Sequence, residues 1–215
     1  MCNFVRLLAC LATSLLMTPV FAAPNTDAAP TTDAGPAAKT PDTALHPVRG
    51  FLPDLKFSLQ GAGGKTYTQE DFKGRVVLMF FGYASCPDIC PTTMAQLTQA
   101  MNELGEQAKK STRILFISVD PHRDTPDVLQ AYVDAFGGQA LGLTGTEKQV
   151  ADVARRYRVA YQIAKPQPGS PEVYEVAHSR GVYFFDQEGR ARFLAADSET
   201  VDVIKRGVQT LLQQG

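Results

Sequence analysis

The residues with the most chemical reach are two cysteines in the run Phe80-Phe81-Gly82-Tyr83-Ala84-Ser85-Cys86-Pro87-Asp88-Ile89-Cys90-Pro91. A helix from Pro87 would set Cys86 and Cys90 one turn apart on one face, so both sulfurs could converge on a single ion. The helix N-terminus would also favour the Cys86 thiolate, the form that binds metal or attacks a disulfide. Pro87 suits a first helical residue, where the N–H it lacks would have no partner. Pro91 cannot donate to its fourth predecessor, so the corner can instead be a distorted turn that brings the sulfurs close enough to oxidise. Three readings stand here: a structural disulfide, a redox pair and a metal site. A bridge closing so short a loop constrains the unfolded chain weakly, which disfavours the first. Spacing alone does not choose between the other two.

A third ligand would choose, and the chain has three histidines. His46 lies at the edge of a polar segment and reads as solvated. His122, in Val119-Asp120-Pro121-His122-Arg123-Asp124, follows an apolar run and reads as a surface-loop residue. His178 ends a Gly/Pro-containing stretch and precedes the apolar run from Val182. By itself it reads as a structural or solvated loop residue. Asp120 and Asp124 could support a site, but in Asp-Pro and Asp-Thr-Pro contexts they read first as turn and cap residues. Tyr83 and Tyr174 read as packing residues that could also shield a metal. Gly142 and Gly145 flank a tight connection, and no Gly-Lys-Ser/Thr follows to make a phosphate loop.

The elements that must position these residues follow from the hydrophobic pattern. Strands are expected over 55–59, 76–81, 114–119, 182–185 and 192–195, the second and third being continuous apolar runs typical of strands covered on both faces. Helices are expected over 91–107, 126–136, 147–157 and 198–212. Thr125-Pro126 supplies an N-cap followed by proline, and Thr146 with Gln149 forms a capping box. The turn at 186–189 makes the last two strands an antiparallel hairpin. The whole reads as an α/β domain with a mixed central sheet, helices on both faces and a C-terminal β-hairpin before the last helix.

The chain has 215 residues, 44% hydrophobic and 20% charged, which excludes a largely disordered or multispanning protein. Its 21 basic and 22 acidic residues give a net charge of −1, against a broad nucleic-acid-binding surface. Residues 1–23 read as a secretory signal: Arg6, an apolar run to Val20, and the small pair Ala22-Ala23. An uncleaved anchor and a lipobox-like Leu-Leu-Ala-Cys at 7–10 are the alternatives. Cleavage would remove Cys2 and Cys10, leaving Cys86 and Cys90 as the thiols of an exported domain. Residues 24–44, rich in Ala, Pro, Thr and Asp, read as a disordered linker, and 45–215 as the folded domain.

Seven motifs stand in order along 48–212: Phe-Lys-Gly-Arg-Val-Val-Leu (72–78), Phe-Gly-Tyr (81–83), Cys-Pro-Asp-Ile-Cys-Pro (86–91), Ser-Val-Asp-Pro (118–121), Arg-Asp-Thr-Pro (123–126), Gly-Leu-Thr-Gly (142–145) and Tyr-x-Val-x-His-Ser (174–179). In these the chain resembles the Sco/SenC copper proteins, which have a thioredoxin-like fold. The resemblance implies a copper site made of Cys86, Cys90 and His178. Two thiolates suit Cu(I), and an added imidazole accommodates Cu(II); a structural zinc would want a fourth ligand. It further implies a periplasmic or otherwise extracytoplasmic, membrane-proximal metallochaperone. Its partners would be the copper-bearing subunit of cytochrome c oxidase, whose binuclear centre it would load, and another periplasmic copper carrier. The alternative is a thiol:disulfide oxidoreductase that uses Cys86 and Cys90 to reduce the oxidase's copper-site cysteines; a peroxiredoxin-like peroxidase is a third and weaker reading. The chain departs from some members at Ala177, where an acidic residue would precede the histidine.

Overall fold

A computed structural model describes residues 45–48, 50–196 and 199–214. In chain order these form β1 (Leu45–Pro47), β2 (Ser58–Gln60), β3 (Thr66–Thr68), β4 (Val76–Gly82), α1 (Ile89–Leu104), α2 (Glu106–Ser111), β5 (Thr112–Ser118), α3 (Pro126–Asp134), β6 (Ala140–Leu143), α4 (Glu147–Arg156), β7 (Tyr161–Ile163), β8 (Val176–His178), β9 (Val182–Phe185), β10 (Ala191–Ala195) and α5 (Val201–Leu212). The signal and linker expected over 1–44 lie outside the described residues. Among the described residues no helix is long and apolar enough to cross a membrane.

β4 is apolar and buried along its whole length, which requires cover on both faces. It lies in a six-stranded sheet of order β1-β10-β9-β4-β5-β6. β4, β5 and β6 run parallel, and β9, β10 and β1 add on antiparallel. Successive side chains alternate between the faces. Val77, Met79, Phe81, Leu115, Ile117, Tyr183 and Phe185 join one core with Val153 and Ala154 of α4. Leu78, Phe80, Ile114, Phe116, Val182 and Phe184 join the other with residues of α1, α3 and α5. The mixed sheet, the helices on both faces and the β9–β10 hairpin are the thioredoxin-like architecture expected. The hairpin turn closes on Asp186, whose carboxylate accepts from the backbone N–H groups of Glu188 and Arg190 at 3.1 and 2.9 Å.

The caps stand where the sequence puts them: Thr125 accepts from the Val128 N–H, and Thr146 with Gln149 forms the reciprocal box. The boundaries differ elsewhere. The strand expected at 55–59 is the shorter β2, paired with β3 outside the main sheet. β1, β3, β6, β7 and β8 were not expected as strands. The helix expected over 91–107 starts at Ile89 and ends at Gly105, whose φ of 85° breaks it before α2. Pro91 is no obstacle there, because the first-turn N–H groups of a helix have no intrahelical acceptor.

Candidate metal centre

The cysteines lie at the C-terminal end of the central strand, where chain leaving a buried parallel strand must turn into α1. The loop closes with the Cys86 N–H donating to the Tyr83 carbonyl at 3.1 Å. Cys86 precedes α1 and is half-buried, whereas Cys90 lies in its first turn and is 1% exposed. Pro87 is therefore not the first helical residue as expected. The sulfurs still face each other's surroundings, for the Cys90 N–H approaches Cys86 Sγ at 3.5 Å. Both thiols are free. Burial pushes the Cys90 thiol well up from its ordinary value; the Tyr83 backbone N–H opposes this, and Cys86 adds to it.

Two features outside the motif hold this corner. A Cβ on Gly82 would come within 2.6 Å of both Cys90 Sγ and Phe116 Cε2, so the glycine of Phe-Gly-Tyr makes room for the sulfur. Asp124, in the loop after β5, accepts from the Ala84 N–H at 3.0 Å and from the Ser118 hydroxyl at 2.6 Å. Burial raises its carboxyl above the usual range against those two hydrogen bonds, and its Oδ1 has no hydrogen-bond partner. Asp124 thus supports the cysteine loop from behind, beyond the turn or cap role its sequence context suggests.

His178 arrives from the other side. It ends β8, which among the described residues pairs only with β7, opposite Tyr161, and is a strand residue where the sequence suggested a loop. The Ser179 N–H donates to the Ala160 carbonyl at 2.7 Å, and the Ala160 N–H to Ser179 Oγ at 3.0 Å. His178 Nδ1 lies 3.0 Å from the Ser179 carbonyl oxygen, which can only accept. Nδ1 therefore carries the proton, and Nε2 turns a lone pair toward Cys90 Sγ, 3.8 Å away. The Tyr83 ring meets the imidazole edge-on at 6.0 Å.

One donor atom each from Cys86, Cys90 and His178 lie within 4.8 Å of one another. An ion bonded to two sulfurs and a nitrogen at about 2.0–2.3 Å holds such donors roughly 3.5–4 Å apart, so small side-chain rotations close the set. The donor chemistry also fits: two soft sulfurs and an imidazole suit copper in either common oxidation state. The other histidines stay apart. His46 is exposed on β1, and exposed His122 pairs with Glu147 at 3.2 Å. Asp120 is fully buried and accepts the Tyr174 hydroxyl at 2.8 Å. Arg123, which opens the Arg-Asp-Thr-Pro motif but was assigned no role from the sequence, stacks on Tyr174. A groove of about 580 Å³ flanks the cysteine loop, lined by Tyr83, Ser85, Pro87, Gln162 and Tyr174 but by none of the three donors.

Comparison with known proteins agrees with this geometry. The family model described as SCO1/SenC matches residues 52–213. Protein SCO2, mitochondrial, of Saccharomyces cerevisiae is 41% identical over 135 residues, covering 62% of this chain and 44% of that protein. Among solved structures, Arabidopsis thaliana ScoI with copper bound superposes with a TM-score of 0.67 at 33% identity, covering 75% of this chain and 99% of that one. Yeast Sco1 with copper bound gives 0.65 at 31% identity, covering 75% and 87%. The chain spans about half the length of the curated relatives it matches. With the SCO1/SenC model matched over residues 52–213, well over half of its length, this chain belongs to the SCO1/SenC family.

Proposed function

We propose that this chain is a copper metallochaperone that holds Cu(I) or Cu(II) through Cys86, Cys90 and His178 and delivers it to the binuclear copper centre of cytochrome c oxidase. The observation that carries the reading is the convergence of three donors from two remote parts of the chain within 4.8 Å, with the imidazole tautomer set by Ser179 so that Nε2 is free to bind. Copper is the cargo. The two sulfurs retain it as Cu(I), and His178 completes the set for Cu(II). Binding requires both thiols deprotonated, so loading releases protons and weakens as pH falls. The groove beside Cys86 would admit the acceptor's own ligands, and the copper-bearing subunit of the oxidase and a separate extracytoplasmic copper carrier are the partners this role needs. The N-terminal 44 residues fit export and tethering near a membrane; relatives and structural neighbours carry the descriptions "mitochondrial" and "lipoprotein".

A second reading has its own support. Cys86 is half-buried and Cys90 is 1% exposed, an asymmetry suited to an attacking and a resolving thiol in a thiol:disulfide oxidoreductase. His178→Ala separates the two. It should abolish tight Cu(II) binding while leaving reduction of a partner disulfide by Cys86 and Cys90 largely intact. Isothermal titration with Cu(II) and a dithiol-exchange assay on the full chain read the two arms, and Cu(II) affinity unchanged in His178→Ala would defeat the three-ligand proposal.

A further inference from the structure

The β7–β8 hairpin carries His178, yet it is not hydrogen-bonded into the six-stranded sheet. Isolated two-stranded pairs are marginal in water, so something else must fix where the imidazole sits relative to the sulfurs. Burial of Val176 anchors the start of β8, and the run from Ser179 into β9 ties down its exit. The approach, 164–175, crosses the surface with three prolines and Gly169.

That approach is gripped by one side chain. Arg123 Nη1 donates to the carbonyls of Glu172 at 3.2 Å and Tyr174 at 3.0 Å, and the guanidinium lies 3.7 Å from the centre of the Tyr174 ring. Asp120, fully buried, uses one carboxylate oxygen to accept from Arg123 Nε and the other to accept the Tyr174 hydroxyl. Arg123 also faces the Tyr83 ring at 5.6 Å, the same ring that meets His178. The next residue, Asp124, holds the cysteine loop through Ala84. The loop after β5 therefore touches both halves of the centre.

We infer that Arg123 is a positioning residue for the metal centre: oriented by Asp120, it clasps the segment leading to His178 and sets the imidazole in register with the cysteine pair. This rests on the reading that Cys86, Cys90 and His178 bind copper. A guanidinium is required because two carbonyls, a carboxylate and a ring face are met at once by a rigid planar fork; a lysine ammonium keeps the charge but not that geometry. The sulfurs, held by α1, Gly82 and Asp124, do not depend on the clasp.

The test compares full-length wild type, Arg123→Lys and Tyr174→Phe, the last keeping the stacked ring and losing only the bond to Asp120. In Arg123→Lys, Cu(II) affinity should fall about 10–100-fold with a weakened sulfur-to-Cu(II) charge-transfer band. Cu(I) affinity should change by less than about threefold, since two sulfurs suffice for it. Tyr174→Phe should show the same selective loss to a smaller extent. Without any metal, hydrogen exchange at the Ala164 and Ser179 amides, which bond to the Glu175 and Ala160 carbonyls, should speed by about tenfold in Arg123→Lys as the hairpin loosens. A folded Arg123→Lys with wild-type Cu(II) affinity and wild-type exchange overturns the clasp. Equal losses of Cu(I) and Cu(II) overturn it as well, because they mark a general structural role. Wild type that binds neither ion refutes the copper reading instead, and the exchange arm still decides whether Arg123 holds the hairpin.

Discussion

Replacing Gly82 by alanine should damage the centre from beneath without touching a ligand. The new methyl carbon would lie 2.6 Å from Cys90 Sγ and 2.6 Å from Phe116 Cε2, about 1 Å inside the 3.5–4.0 Å at which such atoms pack comfortably. The strand cannot simply move away: the Gly82 carbonyl accepts from the Val119 N–H at 2.8 Å, and β4 runs in register with β5 along its length. Overpacking of this kind costs about 1–3 kcal/mol, offset by roughly 0.5–1 kcal/mol because alanine loses less backbone entropy than glycine in a strand. The net, about 0.5–2 kcal/mol, lowers the melting temperature by about 1–8 °C for a domain of this size. Gly142→Ala is the control, because its Cβ would meet Leu129 Cβ at 2.7 Å, between β6 and α3 and away from the sulfurs. Calorimetric melting should fall in both variants, whereas competition with a Cu(I) chelator and direct Cu(II) titration should show weakened binding in Gly82→Ala alone. If Gly82→Ala kept wild-type affinity for both ions while melting lower, the link between this glycine and the placement of Cys90 would be wrong.

Two further outcomes follow from burial and charge. Iodoacetamide should label half-buried Cys86 first in the reduced, copper-free protein, with Cys90, 1% exposed and its thiol pushed up by burial, slower by on the order of tenfold; comparable rates in a Cys86→Ser chain, read by mass spectrometry, would contradict the asymmetry. Asp186 should support the hairpin turn in a pH-dependent way: burial raises its carboxyl, but hydrogen bonds from Arg190 and Arg192 more than offset this and leave it below 3.8. A depressed folded value means that its contribution is complete above the unfolded value of about 3.9 and is lost as pH falls through the folded one. Asp186→Asn should therefore lower the melting temperature at neutral pH and lose that difference progressively as pH falls below the usual carboxylate range, and a difference that does not shrink with acidification would exclude the linkage.

What the sequence made legible was what local chemistry encodes. The cysteine corner showed because a buried run, a short loop and a Cys-x-x-x-Cys spacing are adjacent; β4 and β5 showed because both faces are covered; α3 and α4 showed because Thr125 and Thr146 cap them. The start of α1 was displaced because Asp88, its N-cap, makes no side-chain capping bond and so leaves no signal. β1 was hidden by Pro47, which an edge strand tolerates because the N–H it lacks need not pair. β7 and β8 have three residues each, too few for a period. The residues alone left His178 a loop histidine, and only the resemblance pointed to it as a ligand. The missing information is not local: the imidazole is placed by Ser179, by Val176 in the core and by Arg123 reaching across from the loop after β5.

That division bears on why such a site would suit a cargo better than a resident ion. Cys90 is packed over Gly82 of the central strand and 1% exposed, so motion there would disturb the core. Cys86 precedes the helix on a loop beside the open groove, and His178 ends a hairpin that no main-sheet hydrogen bond restrains. Under the copper reading, one donor is fixed and two sit on elements that can yield one at a time. Ligand-by-ligand exchange with an acceptor needs that inequality, whereas a permanent cofactor is better served by donors that are all held rigidly. The clasp at Arg123 then acts on the His178 side alone, so loosening it should shift the balance between the oxidation states held without emptying the site.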